Sequence, residues 1–284
     1  MEGHIHSLET FAAGIDGPGC RYVVFLKGCH MRCRFCHNPD TWEPGGGEVY
    51  TPEDLFARAY RYKNYWTKRD KVNGDRLNGG ITVSGGEPLL QIDFVTEFFK
   101  LAKEKGIHTA LDTSANPFTR EEPFFSKFNE LMKYTDLIML DIKNIDPEGH
   151  KLLTGQPVDN ILDCAKYMDE LGKEMWIRHV LVSADEARKD DISFSDRDEQ
   201  LYALADFIKT LKHVSKVEVL PYHTLGLSKW ENLKIPYTLE GIDPPTRERV
   251  ENANRILNEA AGTKQEIPCD DSAVAGSSET GRSC

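Results

Sequence analysis

Asp136-Leu137-Ile138-Met139-Leu140-Asp141-Ile142 is a near-continuous apolar run. A strand of this kind is buried on both faces, as in a parallel sheet covered by helices. Toward the N-terminus, residues 121–133 carry Phe124, Phe128, Leu131 and Met132 at helical spacing, and Ile107–Thr113 reads as the strand before them. Before these come a helix at 93–105 with Phe94, Phe98 and Leu101 on one face and a strand at Gly80–Ser84. A helix at 52–66, with Thr51 as its cap and Pro52 in its first turn, follows a strand at Arg21–Lys27. Toward the C-terminus come a helix at 158–171, a strand at Met175–Val182, a helix at 196–212 capped by Ser195 with Asp198, and a strand at Lys216–Tyr222. A last helix, opened by Pro244 and Pro245, carries Val250, Ile256 and Leu257. Gly106 and Gly172 are placed to end the helices before them. Six strand-then-helix units in strict alternation imply an α/β fold with a parallel sheet and right-handed crossovers. Periodicity leaves a doubly wound open sheet and an incomplete barrel equally open.

The length of 284 residues gives a large enough core to fold without disulfides. A net charge of −11 disfavours a nonspecific nucleic-acid or membrane-surface binder, which needs clustered Lys and Arg. No apolar run approaches the ~18 residues of a membrane span, and the start lacks the basic and apolar segments of a secretory signal. The expectation is a cytoplasmic protein. Residues 1–263 read as one domain, 67–80 as a charged surface loop and 264–284 as a disordered tail that holds Cys269 and Cys284.

Three of the seven cysteines, Cys29, Cys33 and Cys36, lie within eight residues as C-x3-C-x2-C, just after the first strand. In a reducing compartment such a cluster points to metal rather than disulfides. Three thiolates can hold a four-iron cluster and leave one iron open to substrate. The competing reading is a zinc site completed by His30 or His37. Polar residues recur at the carboxyl ends of later strands: Ser84-Gly85-Gly86-Glu87, Asp112-Thr113, Asp141 with Lys143, and His223, with Arg178 inside its strand. Polar groups on apolar strands are costly unless they face a site, and the carboxyl mouth of a parallel α/β fold is where sites lie. A plain turn at Gly85–Glu87, an ordinary Asp141–Lys143 ion pair, and packing roles for Phe35 and His37 are the plainer readings. For Asp16-Gly17-Pro18-Gly19 it is a structural turn.

The C-x3-C-x2-C motif resembles that of the radical S-adenosylmethionine (radical SAM) superfamily, and the surrounding text resembles the activating enzymes of pyruvate formate-lyase. The matching stretches run from Ile5-His6-Ser7 through Cys36-His37-Asn38-Pro39-Asp40-Thr41-Trp42 and Met139-Leu140-Asp141-Ile142-Lys143 to Leu220-Pro221-Tyr222-His223. The resemblance implies a laterally open, partial (β/α)6 TIM-like barrel, which settles the choice that periodicity leaves open. It implies a [4Fe–4S] cluster on Cys29, Cys33 and Cys36. S-Adenosyl-L-methionine would be held by Phe35, Cys36, His37, Gly85, Gly86, Glu87, Asp141, Ile142, Lys143 and His223, with Asp112, Thr113 and Arg178 in the same cofactor-binding set. Asp112, Thr113, Asp141 and the Met139 carbonyl resemble a monovalent-cation site beside the cofactor. Asp16, Gly17, Pro18 and Gly19, with Arg178 nearby, would hold the glycine-bearing loop of the protein substrate. The implied reaction is reductive cleavage of S-adenosylmethionine to methionine and a 5′-deoxyadenosyl radical, which takes a hydrogen atom from one glycine of pyruvate formate-lyase. No side chain acts as nucleophile or general base. A flavodoxin or ferredoxin would give the electron, and the protein would be a monomer.

The sequence departs from the pattern in the length of 67–80, in Ser114-Ala115 after Asp112-Thr113, and in the tail. An activase of another glycyl-radical enzyme is the nearest alternative. The dehydratase type is disfavoured because 38–84 contains no cysteine, and the anaerobic reductase type by the full set of late motifs. A non-enzymatic iron–sulfur or zinc protein would explain the cysteines but not the strand-end residues.

Overall fold

All six expected strands form, and they lie side by side in chain order. The computed structural model describes residues 1–66, 79–184 and 186–262. The strands are β2 (Cys20–Leu26), β4 (Gly80–Gly85), β5 (His108–Thr113), β6 (Leu137–Asp141), β7 (Glu174–Leu181) and β8 (Val214–Pro221). Each pairs in parallel with the next. The full sheet runs β3-β1-β2-β4-β5-β6-β7-β8, so its two edges are different strands and it does not close on itself. This is the partial barrel, with two strands beyond the expected six. β1 (Gly3–Ala13) and β3 (Glu48–Tyr50) add to one edge in antiparallel fashion. Two register shifts in the β1–β2 ladder blur the alternation that would announce β1.

Side-chain alternation sorts each strand into two faces. On one face, Leu111, Ile138, Leu140 and Ile177 are fully buried in the large core shared with the helices. On the other, Ala110, Leu137 and Met139 form a small separate cluster with Trp176. Two residues further along each strand, that same inner face carries Asp112, Asp141 and Arg178. The apolar cluster is therefore the floor of the barrel, and the charged residues begin its mouth.

The helices are α1 (Pro52–Tyr60), α2 (Ile92–Glu104), α3 (Phe124–Lys133), α4 (Pro147–Thr154), α5 (Asp159–Glu170), α6 (Asp198–Lys209), α7 (Leu227–Leu233) and α8 (Arg247–Ala261). Thr51 caps α1 as expected, its side chain accepting from the Asp54 amide. Gly106 and Gly172 follow α2 and α5 with left-handed φ of 66° and 67°. The expected helix at 52–66 stops at Tyr60 and continues only as a short 3-10 turn at Lys63–Tyr65. Ser195 does not cap α6. Its hydroxyl instead donates to the Val180 carbonyl (2.6 Å) and accepts from the Val182 amide (3.0 Å), and Arg197 occupies the cap position. Pro244 and Pro245 precede α8 rather than open it. Thr246 is the cap, its hydroxyl accepting from the Arg249 amide at 3.3 Å. Helices α4 and α7 are additions to the six expected units. Most of the loop expected at 67–80 lies outside the described residues, as does the tail expected at 264–284. Among the described residues no helix is long and apolar enough to cross a membrane.

Candidate active site

The carboxyl ends of the parallel strands surround a cavity of about 420 Å³. It brings together Asp16, Cys29, Cys33, Phe35, Cys36, His37, Gly85, Gly86, Asp112, Thr113, Asp141, Lys143, Arg178 and His223. Of the residues named from the sequence, Gly17, Pro18, Gly19, His30, Glu87, Met139 and Ile142 do not line it. Phe25 and Val180 supply apolar wall that the motifs do not name, beside Leu220 of the Leu220–His223 stretch. Strand alternation is the signal that could have found them, since they share the inner face with the polar residues.

The cysteine loop leaves β2 at Gly28, whose φ of 96° favours glycine. It is pinned on several sides. Gly28 and Cys29 amides donate to the Thr41 and Trp42 carbonyls at 2.7 and 3.0 Å. Arg32 and Arg34 amides donate to the Thr154 and Leu153 carbonyls at the end of α4, at 2.7 and 2.9 Å. From α7, the Trp230 indole donates to the Cys36 carbonyl at 2.8 Å, and Lys229 donates to Asn38 at 2.7 Å. The two additional helices thus serve to hold the loop.

The Gly85-Gly86 turn packs backbone to backbone against this loop. The Gly86 amide donates to the Leu26 carbonyl (2.9 Å) and the Glu87 amide to the Gly28 carbonyl (2.7 Å). A Cβ on Gly86 would overlap the Gly28 carbonyl oxygen. The Glu87 side chain turns away from the cavity and is 1% exposed. It accepts from the Thr113 hydroxyl (2.5 Å), the Ser114 amide (2.9 Å), the Ser114 hydroxyl (2.5 Å) and the Leu89 amide (3.0 Å). Glu87 therefore ties the end of β4 to the end of β5, although burial pushes its carboxyl above the usual range. Ser114, a departure from the family pattern, is one of its partners.

Burial raises all three thiols, Cys29 to about 12 and Cys33 and Cys36 above the ordinary thiol range. They are neutral without metal, and binding iron must displace their protons. Among the described residues no three His, Cys, Asp or Glu side chains converge on one point as a single ion requires. A cluster that takes one thiolate per iron does not require it. Neither candidate zinc histidine is offered to such an ion. His30 is exposed, and the His37 ring stacks on His223 at 3.9 Å with its Nε2 at 3.1 Å from the His223 carbonyl oxygen. Three thiols lining one cavity with a side-chain-free glycine turn fit a [4Fe–4S] group.

In the same cavity, Lys143 donates to Asp141 at 3.0 Å and sits 5.5 Å from the Phe35 ring centre. Burial alone would neutralise both. For Lys143 the charge of Asp141 outweighs burial and raises the ammonium above its usual range. For Asp141 the charges of Lys143 and Arg178 outweigh burial and hold the carboxyl low. Asp112 accepts from Ser84 at 2.7 Å and from Arg178 at 2.8 Å. Asp16 stands on the same side, its carboxyl raised by burial and by Asp112. The Asp16 carbonyl accepts from the Thr82 hydroxyl at 2.6 Å, and Thr82 in turn accepts from Arg21 Nε at 2.9 Å. The cavity thus combines three thiols, an Asp–Lys pair and an Asp–Arg pair.

Residues 23–193 match the model of the radical SAM superfamily. The chain is 48% identical over 260 residues to the pyruvate formate-lyase-activating enzyme of Streptococcus mutans, covering 91% of this chain and 92% of that one. It is 47% identical to the enzyme of that name from Listeria monocytogenes, covering 90% and 96%. Among solved structures, Streptococcus suis SuiB bound to its precursor peptide aligns at a TM-score of 0.56 and 21% identity, covering 84% of this chain and 44% of that one, a likeness of fold. The cavity geometry and these relationships agree: the chain is a radical SAM enzyme and belongs to the pyruvate formate-lyase-activating enzyme family.

Proposed function

We propose that this enzyme installs a glycyl radical on pyruvate formate-lyase at the expense of S-adenosylmethionine. The observation that carries the reading is the convergence in one cavity of the three thiols, the glycine turn, the Asp141–Lys143 pair and His223. A [4Fe–4S] cluster held by Cys29, Cys33 and Cys36 would supply the electron that cleaves S-adenosylmethionine to methionine and a 5′-deoxyadenosyl radical.

The chain's own residues position and shield. Gly85 and Gly86 let the methionine end approach backbone. The Asp141–Lys143 pair lines the cofactor with charges that stay ionised in a dry site. Phe35, Phe25, Val180 and Leu220 exclude water, which protects a reactive intermediate from side reactions. His37 and His223, stacked together, bound the adenosyl end, and burial holds both below the ordinary histidine range, so they present neutral rings. Asp16 and Arg178 face the protein substrate, with Gly17, Pro18 and Gly19 shaping the turn behind Asp16. A monovalent cation on Asp112, Thr113, Asp141 and the Met139 carbonyl would compete with Arg178 for Asp112. Flavodoxin or ferredoxin is the electron donor in this scheme.

The test is anaerobic incubation of the reconstituted enzyme with S-adenosylmethionine, reduced flavodoxin and pyruvate formate-lyase, read by electron paramagnetic resonance. A glycyl radical on pyruvate formate-lyase is expected. A radical formed on a different glycyl-radical enzyme, with none on pyruvate formate-lyase, overturns the choice of partner.

A further inference from the structure

Asp141, Arg178 and Glu218 stand in register across β6, β7 and β8. The row reads acid, base, acid. The outer acid belongs to no motif and does not line the cavity. Arg178 is held on one side by Asp112, at 2.8 Å from its Nη1. On its other side Nε lies 3.7 Å from Glu218 Oε2. These two atoms, Arg178 Nε and Glu218 Oε2, are both buried and lack hydrogen-bond partners among the described residues. The side chains of Arg178 and Glu218 are 10% and 12% exposed. Glu218 is itself fixed from below, its other carboxylate oxygen lying 3.1 Å from the Lys216 ammonium, whose nitrogen sits 4.5 Å from the Trp176 ring centre.

A buried donor and a buried acceptor, each unsatisfied, facing each other just beyond bonding distance, are costly to keep apart. A small rotation of the guanidinium closes the gap. We infer that Glu218 is a positioning residue for Arg178. It braces the guanidinium from the neighbouring strand so that the remaining N–H groups present a fixed fork to the peptide carbonyls of the protein substrate's glycine loop. Arg178 suits that task because its planar donors are preorganised once two carboxylates set the plane. This inference rests on the reading that Arg178 faces a protein substrate. It assigns Glu218 no contact with S-adenosylmethionine.

The experiment uses reconstituted holoenzyme in which Glu218→Gln, Glu218→Asp and Arg178→Lys are compared, alone and with Glu218→Gln combined with Arg178→Lys. Two readouts are taken: 5′-deoxyadenosine formed without any partner, and glycyl radical as a function of pyruvate formate-lyase concentration. Glu218→Gln should leave partner-free 5′-deoxyadenosine within about twofold of the parent. It should raise the partner concentration for half-maximal radical by about tenfold, as expected for loss of a charge-assisted contact. Glu218→Asp should recover part of that loss, and Glu218→Gln should add little once Arg178 is Lys. Unchanged partner dependence in Glu218→Gln overturns the inference. So does a loss of 5′-deoxyadenosine in proportion to the loss of radical, which marks a merely structural role. Failure of the parent protein to form a radical on pyruvate formate-lyase while making 5′-deoxyadenosine strikes the choice of partner instead.

Discussion

Lys143 and Asp141 illustrate what single residues disclose and what they conceal. Their spacing at the end of one strand marks them for the site, yet an ion pair at that spacing is also an everyday surface feature. The structure separates the readings by place: the pair is buried, lines the cavity and lies beside Phe35. Glu87 goes the other way. The Gly-Gly-Glu motif points to cofactor contact for all three residues, but the carboxylate spends its oxygens on Thr113, Ser114 and Leu89, so only the glycines face the cavity. Nothing in a linear motif says which way a side chain turns. The Asp141–Lys143 pair supports a prediction at this scale. Lys143→Met leaves a buried carboxylate without its partner, which should cost about 3–5 kcal/mol of stability. It should also weaken S-adenosylmethionine binding at least about tenfold, roughly 1.4 kcal/mol. Combining Asp141→Asn with Lys143→Met should return most of the stability and none of the binding. Thermal unfolding and equilibrium dialysis check the two halves separately, and recovery of binding in the double variant would contradict the assignment.

Elements carry the cysteine loop, and here the sequence is least legible. The six parallel strands are readable because a long apolar run ending in polar residues suits little besides a buried strand that opens on a site. Helices α4 and α7, of eight and seven residues, are too short to show an amphipathic period, so their sequences do not stand out from loops. They nonetheless supply the backbone and side-chain contacts that fix Cys36 and its neighbours. Helix α4 also contains a fully buried histidine. His150 Nδ1 lies 2.7 Å from the Gln156 carbonyl oxygen, while Nε2 has no partner among the described residues. Burial pushes this histidine down to about 4. The unfolded chain takes up its proton near the ordinary histidine value of about 6.5, so between these limits the unfolded state binds more protons. The contribution to stability is fully present above about pH 6.5 and is lost as pH falls toward 4, up to about 3 kcal/mol. His150→Asn keeps a donor for Gln156 and cannot titrate. Its denaturation midpoint should therefore fall less than the parent's between pH 7 and pH 5. Parallel pH dependences in the two proteins would show that His150 does not carry the acid sensitivity.

The whole molecule is an open sheet with two chemically distinct faces. The outer face is an ordinary apolar core under helices, and alternation of strand and helix is enough to foresee it. The inner face changes from Ala110, Leu137 and Met139 at the floor to Asp112, Asp141 and Arg178 at the mouth within two residues of each strand. That change builds a reaction chamber rather than a packed barrel interior. Among the described residues the sheet does not close, so no described strand pairs β8 back to β3. The added strands β1 and β3 extend the opposite edge from β8, and the turn after β1 delivers Asp16 to the cavity. The central claim is that a radical generated in this chamber removes a hydrogen atom from a glycine of pyruvate formate-lyase. The most direct measurement uses pyruvate formate-lyase with deuterium at the α-carbon of its glycines, incubated anaerobically with reconstituted enzyme, S-adenosylmethionine and reductant. The account predicts 5′-deoxyadenosine carrying deuterium in step with glycyl-radical formation, and neither product with Cys33→Ala. A glycyl radical accompanied by unlabelled 5′-deoxyadenosine would contradict it.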